Sequence, residues 1–301
     1  MALQITVDVF SGRPNPVLHI PADAAVNLFS PAASLRAESV APTLTSFSRL
    51  GYRGLVIQHN EPALANLLPA DARLYRGVLH SASAALAVPW QLEEVLLAPG
   101  GLAEEAGLPA DLRQFIAAQV ARANAEPPAA VLAARASMSQ AQLAAAPAVL
   151  PGSGRAPIFE PDWWNDNAIK QSHNNCYNYS TNYRTDTFAQ PGRASGFSIT
   201  AISCNQIFPF AVDDSLIPDP GNNNEFPAEG HLVALVMAPG FDFHWYRKGP
   251  DGMWSHKVGP QPVTNLDNSG AAIADPRTAD RGPYVDFCGF MAVMHGHIKL
   301  E

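Results

Sequence analysis

A cysteine, three histidines and a glutamine in the second half of the chain are spaced as a thiol hydrolase would need them. Cys176 stands in the run Gln171-Ser-His-Asn-Asn-Cys-Tyr-Asn-Tyr. Asp162, Asn165, Asp166 and Asn167 precede it, and Asp and Asn are good helix N-caps, so Cys176 is expected on or just before a helix start. The positive end of a helix favours thiolate, the nucleophilic form of a thiol. Gln171, five residues earlier, could donate its amide to an oxyanion. The bland reading of Cys176 is a buried thiol, or a disulfide partner for Cys204 or Cys288.

The histidines fall on a strand pattern. Gly230–Met237, Phe241–Arg247 and Met253–Val258 are apolar or β-rich runs separated by Ala-Pro-Gly-Phe and by Gly249-Pro-Asp-Gly252. Such turn signals predict a three-stranded antiparallel meander. His244 and His256 lie twelve residues apart around the second turn, so a symmetric hairpin sets them directly opposite, with Cβ atoms ~5 Å apart. A one-residue offset would instead pair His256 with Trp245 and turn it away. In the first register His244 is the base and His256 the group that fixes its tautomer, with His231 as the alternative base. Tyr177, Trp245 and Trp254 are the expected substrate-binding aromatics, having an apolar body and a polar handle. As bland alternatives, the histidines are satisfied by hydrogen bonds in an aromatic-rich sheet.

The elements that must hold these groups divide by composition. Residues 3–9 alternate, with Leu3, Ile5, Val7 and Val9 on one face, and predict a half-buried strand. Ser11-Gly-Arg-Pro-Asn-Pro16 supplies turn residues, and Val17–Ile20 resumes as a second strand. Tyr52–His59 and Arg73–His80 read as further strands, and Pro21–Phe29 as helical. From Pro109 an apolar stripe of Leu112, Phe115, Ile116 and Val120 predicts another helix. Residues 126–157 are dominated by alanine and proline and read as a helix and tether. After Ile158 the chain holds four of its five tryptophans and six of its nine histidines. The turn-rich, acidic stretch 265–282 reads as loops, and Tyr284–Val293 as a final buried strand with Cys288 in the core.

The 301 residues suggest two domains, and a charged share of only 15% excludes a highly charged disordered chain. A net charge of −8 argues against a general nucleic-acid partner. No run approaches the ~20 apolar residues of a membrane span, and no basic leader opens the sequence, so a cytoplasmic location or export without a leader is expected. His231, His244, His256, His295 and His297 with Asp213, Asp214 and Asp242 offer zinc ligands, but no metal-binding spacing is present, so neither metal nor other cofactor is expected. Gly-x-Ser-x-Gly and phosphate-loop motifs are missing as well.

The order of a cysteine, then a strand histidine, then a polar residue on the next strand resembles the papain-like cysteine hydrolases. The NlpC/P60 and CHAP branches, many of which cleave peptidoglycan peptides or amides, are the most similar. His244 and His256 are similar to their catalytic histidine and third polar residue. In a second alignment Gly230-His231-Leu-Val-Ala-Leu-Val matches the histidine strand and His244 becomes the third group. The resemblance covers residues 160–260, and Asn-Asn-Cys-Tyr departs from the usual aspartate-cysteine or glycine-cysteine context. The phrases Phe10–Pro16, Asn174–Tyr179 and Asp242–Arg247 with Trp254–Lys257 also resemble parts of an uncharacterised bacterial family.

The resulting expectation is an α+β protein: a small α+β domain over 1–125, the tether 126–157, and a papain-like domain with an antiparallel meander over 158–301. The resemblance implies a cysteine hydrolase or transferase acting on a peptide or amide, such as a bacterial effector, with a protein partner on the amino-terminal domain. The alternative is a non-enzymatic binding or toxin-accessory module with an aromatic-rich binding sheet.

Overall fold

The structure, a computed structural model, describes residues 3–30, 47–82, 85–88, 91–126, 137–141, 143–144, 149–219, 221 and 223–301. The protein is of mixed α and β class and separates into two compact units. The first comprises 1–9, 15–46 and 52–126. The second comprises 127–301 together with Phe10–Pro14 and Phe47–Gly51. Residues 127–136, 142 and 145–148 of the expected tether lie outside the described residues. Ser139 and Leu150 from that stretch are hydrogen-bonded within the second unit, to the carbonyls of Gly270 and Pro250.

The first unit is a six-stranded antiparallel sheet with helices. Its strands are β1 (Leu3–Val7), β2 (Val17–Ile20), β3 (Leu55–Gln58), β4 (Asp71–Tyr75), β5 (Val78–His80) and β6 (Ala85–Ala87), in the order β2-β1-β3-β4-β5-β6. The alternation in β1 appears directly in burial: Leu3, Ile5 and Val7 are fully buried while Gln4 and Thr6 are half-buried. The run 73–80, read as one strand, is two. Arg76 and Gly77 both take positive φ and reverse the chain between Tyr75 and Val78, the backbone a two-residue hairpin turn requires. The helices are α1 (Ala22–Phe29), α2 (Gln91–Leu97), α3 (Leu102–Glu105) and α4 (Ala110–Ala125), and Ile116 and Val120 of α4 face inward.

The second unit carries the groups singled out above. Four helices, α5 (Pro161–Trp164), α6 (Ala168–His173), α7 (Cys176–Thr181) and α8 (Cys204–Asp213), precede the two-residue strand β7 (Ile217–Pro218). Strands β8 (His231–Ala238), β9 (Asp242–Lys248) and β10 (Trp254–Lys257) form the expected meander, flanked by β11 (Val263–Thr264) and β12 (Asp286–Val293) in the order β11-β10-β9-β8-β12-β7. Every residue of β8, β9 and β10 is buried, so these strands lie inside the unit with both faces covered. One face packs Val233, Leu235, Met237, Phe243 and Trp245 on Cys176, Tyr177 and Ile207. The same face, at its β11 end, contributes Val263 to a cluster with Trp164 and Tyr179.

Cys288 is not an unpaired core residue. The β8–β12 register shifts between Phe287 and Gly289, leaving Cys288 as the extra residue of a bulge, which redirects a side chain from the ladder. It forms a disulfide with Cys204, the first residue of α8. The bridge closes a separation of 84 residues. Its reduction, or Cys204→Ser, is expected to destabilise the second unit by about 2–4 kcal/mol. Denaturant midpoints with and without reductant test this, and coincident midpoints would refute the pairing.

Candidate functional site

The site begins with a turn and a buried acid. Asp242, first residue of β9, is fully buried. Its carboxylate accepts the backbone N–H groups of Ser11 (2.5 Å), Gly12 (3.1 Å) and Arg13 (3.1 Å) and the hydroxyl of Tyr284 (2.5 Å). Three successive amides converging on one anion form a nest. Gly12 is required by close approach, because a Cβ there would lie 2.4 Å from the Phe243 carbonyl oxygen. The Gly12 carbonyl in turn accepts from Asn175 Nδ2 (2.9 Å) and Gln190 Nε2 (2.7 Å).

The nest delivers Ser11 to the histidines. Ser11 Oγ lies 2.6 Å from His244 Nδ1, His244 Nε2 lies 2.8 Å from His256 Nδ1, and His256 Nε2 lies 3.0 Å from the Leu266 carbonyl. The carbonyl end assigns the protons. It can only accept, so His256 Nε2 donates and His256 Nδ1 holds a lone pair. His244 Nε2 then donates to that lone pair, and His244 Nδ1 accepts from the Ser11 hydroxyl. The two histidines share a face as expected, but they are not directly opposite. The register pairs His256 with Tyr246 and Trp254 with Lys248 across Gly249–Met253, one residue more than a Gly-Pro-Asp-Gly loop provides. The imidazoles meet on the diagonal, with ring centroids 4.9 Å apart.

Cys176 is the first residue of α7, where the sequence placed it. Asn175 caps the helix through a reciprocal capping box with Asn178. The thiol is unbridged and fully buried, hydrogen-bonded with the Ser11 side chain and the Trp245 backbone. Burial, with a smaller effect of the Asp242 charge, pushes it up to about 12, opposite to the expected thiolate. Ser11 occupies His244 Nδ1 and His256 occupies Nε2, so the imidazole has no nitrogen left for the cysteine.

The remaining expected site residues are placed elsewhere. Gln171 Nε2 donates to the Pro260 carbonyl (3.2 Å), so no oxyanion-binding amide is formed from it. His231, at the start of β8, bonds the Ser180 carbonyl through Nε2 (2.7 Å). Tyr177, Trp245 and Trp254 are fully buried and offer no substrate surface. Tyr177 donates to Asp214 (2.9 Å), and Trp254 Nε1 donates to Asn224 Oδ1 (3.0 Å). Ser11 and Tyr284 were not expected in the site, and Asp242 was weighed only as a metal ligand. The signal for Ser11 was the Ser-Gly-Arg-Pro turn, which carries nothing to show that it closes on an aspartate 230 residues away. Among the described residues no three His, Cys, Asp or Glu side chains are gathered around a metal position.

One open feature of this unit is a cleft of about 600 Å³, lined by Arg13, Pro14, Gln190, Arg193, Phe197 and Ile202 among others. Arg13 is held by the Phe241 carbonyl (2.9 Å) and lies over the Phe10 ring, while Arg193 is exposed.

No family model and no solved structure matches the chain. Insoluble matrix shell protein 1 of the mollusc Ruditapes philippinarum is 47% identical over 139 residues, covering 45% of this chain and 88% of that protein. The chain belongs to the insoluble matrix shell protein 1 family. That membership overturns the resemblance to NlpC/P60 and CHAP hydrolases and the reading of a bacterial hydrolase or effector. The cysteine-histidine order was read from spacing alone. Its groups form a closed interior network.

The network makes a pH prediction. Burial lowers His231 to about 3 and His256 to about 4, so both contribute stability fully above ~6.5 and lose it as pH falls toward those values. Asp242, raised by burial to about 6, acts oppositely and loses its contribution as pH rises through 6. Two depressed histidines outweigh one raised acid, so urea midpoints should fall from pH 7 to pH 4.5. His256→Gln should flatten part of that slope, and an unaltered slope in this variant would disprove the role given to His256.

Proposed function

We propose that this protein is a non-enzymatic structural and binding module of an insoluble matrix. The observation that carries the reading is the closed network. Cys176, Ser11, His244, His256 and Asp242 are all buried, and the hydrogen bonds of the last four hold one another, the turn and Tyr284 rather than facing a cleft. A nucleophile needs an accessible thiolate, and this thiol is neutral and enclosed. The relative's description as an insoluble matrix shell protein supports the same role. The Cys204–Cys288 bridge supports secretion, since disulfides persist in oxidising compartments. Among the described residues no helix is long and apolar enough to cross a membrane.

For the binding face the reading takes the Arg13–Arg193 cleft and, as its occupant, an anionic matrix polymer. Two guanidiniums border it on a chain of net charge −8, with Phe197 45% exposed beside them. Guanidinium forks match carboxylate and sulfate geometry, and the ring supplies an apolar platform.

Two measurements separate this reading from a thiol enzyme. Iodoacetamide should leave native Cys176 unmodified through pH 9 and label it fully in denaturant, whereas native labelling that titrates below ~8.5 would restore the nucleophile. Retention on an immobilised carboxylated polysaccharide should exceed that on a neutral one, fall with salt, and drop at least about tenfold in the double variant Arg13→Ala/Arg193→Ala. Equal retention of variant and wild type would remove the cleft from the proposal.

A further inference from the structure

His231 differs from the other two buried histidines of the sheet. Its Nε2 faces the Ser180 carbonyl, so that nitrogen carries the proton and Nδ1 carries the lone pair. Nδ1 is buried and has no hydrogen-bond partner among the described residues, an arrangement that ordinary packing avoids. An imidazole anchored by a carbonyl on one nitrogen, with a bare lone pair on the other, is the state in which histidine binds metals.

Beside the His231 ring lies a second imidazole. The His295 ring centroid is 5.5 Å from that of His231, with the planes inclined at 41°. Two imidazoles bound to one ion through bonds of ~2.0 Å place their centroids on the order of 5–6 Å apart. His295 is exposed, on the turn that follows β12. The turn is fixed on both sides: Val293 pairs with His231 across the sheet, and the Gly296 N–H donates to Tyr183 Oη (2.7 Å). Met294 is the third element. Its Sδ lies 3.2 Å from where a Cβ on Gly230 would stand, which places the thioether beside the residue that precedes His231; the glycine itself is required by the Val293 carbonyl, 2.1 Å from the same point.

We propose that His231 Nδ1, His295 and Met294 Sδ form a binding site for copper(I). The donor set is two imidazoles and a thioether, short of the three nitrogen or carboxylate ligands of a zinc site. Soft sulfur with imidazole favours copper(I). The charge of the buried Arg247 acts on His231, and it opposes a divalent ion more than a monovalent one. The strand pairing brings the donors together, which is why the sequence showed no metal spacing.

The test is competition for copper(I), kept reduced by ascorbate, between the whole protein and a colorimetric copper(I) chelator, with X-ray absorption of the loaded protein. Wild type should take one equivalent and show nitrogen and sulfur neighbours. His295→Ala and Met294→Leu, both at the surface end of the site, should each weaken binding at least tenfold while keeping the wild-type circular dichroism. His231→Gln should abolish it. His297→Ala should bind as wild type does. Equal affinity in wild type, His295→Ala and Met294→Leu would overturn the site, as would an absorption spectrum without a sulfur neighbour.

Discussion

The second unit is organised around the Asp242 carboxylate, an anion in the interior whose burial has to be offset by hydrogen bonds. Unpaired, such a group costs several kcal/mol. Here three consecutive N–H groups and a tyrosine hydroxyl close around it. The consequences run outward in order. The nest fixes the path of residues 11–13, and Gly12 alone fits against Phe243 there. That path sets Ser11 on His244, where its hydroxyl meets Nδ1 and completes the chain of tautomers fixed from the Leu266 carbonyl through His256. Each partner is satisfied only if the previous one is in place. Removing the acid therefore disturbs more than the four bonds it accepts, because the amides released would be buried without partners.

Cys176 shows how magnitudes decide between two local effects. A helix N-terminus stabilises an anion by about 0.3–1 kcal/mol, up to ~2 in partly buried sites, and lowers a pKa by roughly one and a half units at most. Full burial shifts a group by as much as 3–5 units the other way. The cap is genuine, but Asn175 already takes the Tyr177 and Asn178 amides that would have faced an anion. With Asp242 also near, burial prevails and the thiol stays neutral. The sequence argument located the helix start correctly and misjudged its effect, because burial depends on what covers the residue.

The same division holds throughout. Features set by short-range pattern were legible: the alternation of β1, the meander 231–258, the start of α7, and the shared face of His244 and His256. Misreadings arose where turn length decides geometry, as in the five-residue loop after Lys248 and the two-residue hairpin turn at Arg76 and Gly77. Long-range pairings were not legible at all. Ser11 meets His244 across 233 residues, and Cys204 reaches Cys288 only because a bulge turns the latter out of its ladder. The aromatic run 244–254 read as a binding surface because Trp and Tyr have polar handles, but its rings lie inside, where Trp254 Nε1 meets Asn224. Both faces of the sheet are covered, and the alternation that marks a half-exposed strand is missing from β8.

The pairing of the Asp242, Ser11, His244 and His256 network also bears on what the surface can do. A buried polar network that is fully paired is rigid and chemically quiet, since any reaction at one member would strand the next. Such a network suits a protein that must persist, and the disulfide between β12 and α8 adds to that persistence. Selective interaction then has to come from groups the network leaves out. Arg13 illustrates the division within a single residue. Its backbone N–H completes the nest around Asp242, while its guanidinium, steadied by Phe10 and the Phe241 carbonyl, lines the cleft. The interior thus sets the position of the cation at the cleft, and an arginine already held in place loses less conformational freedom when it binds an anion.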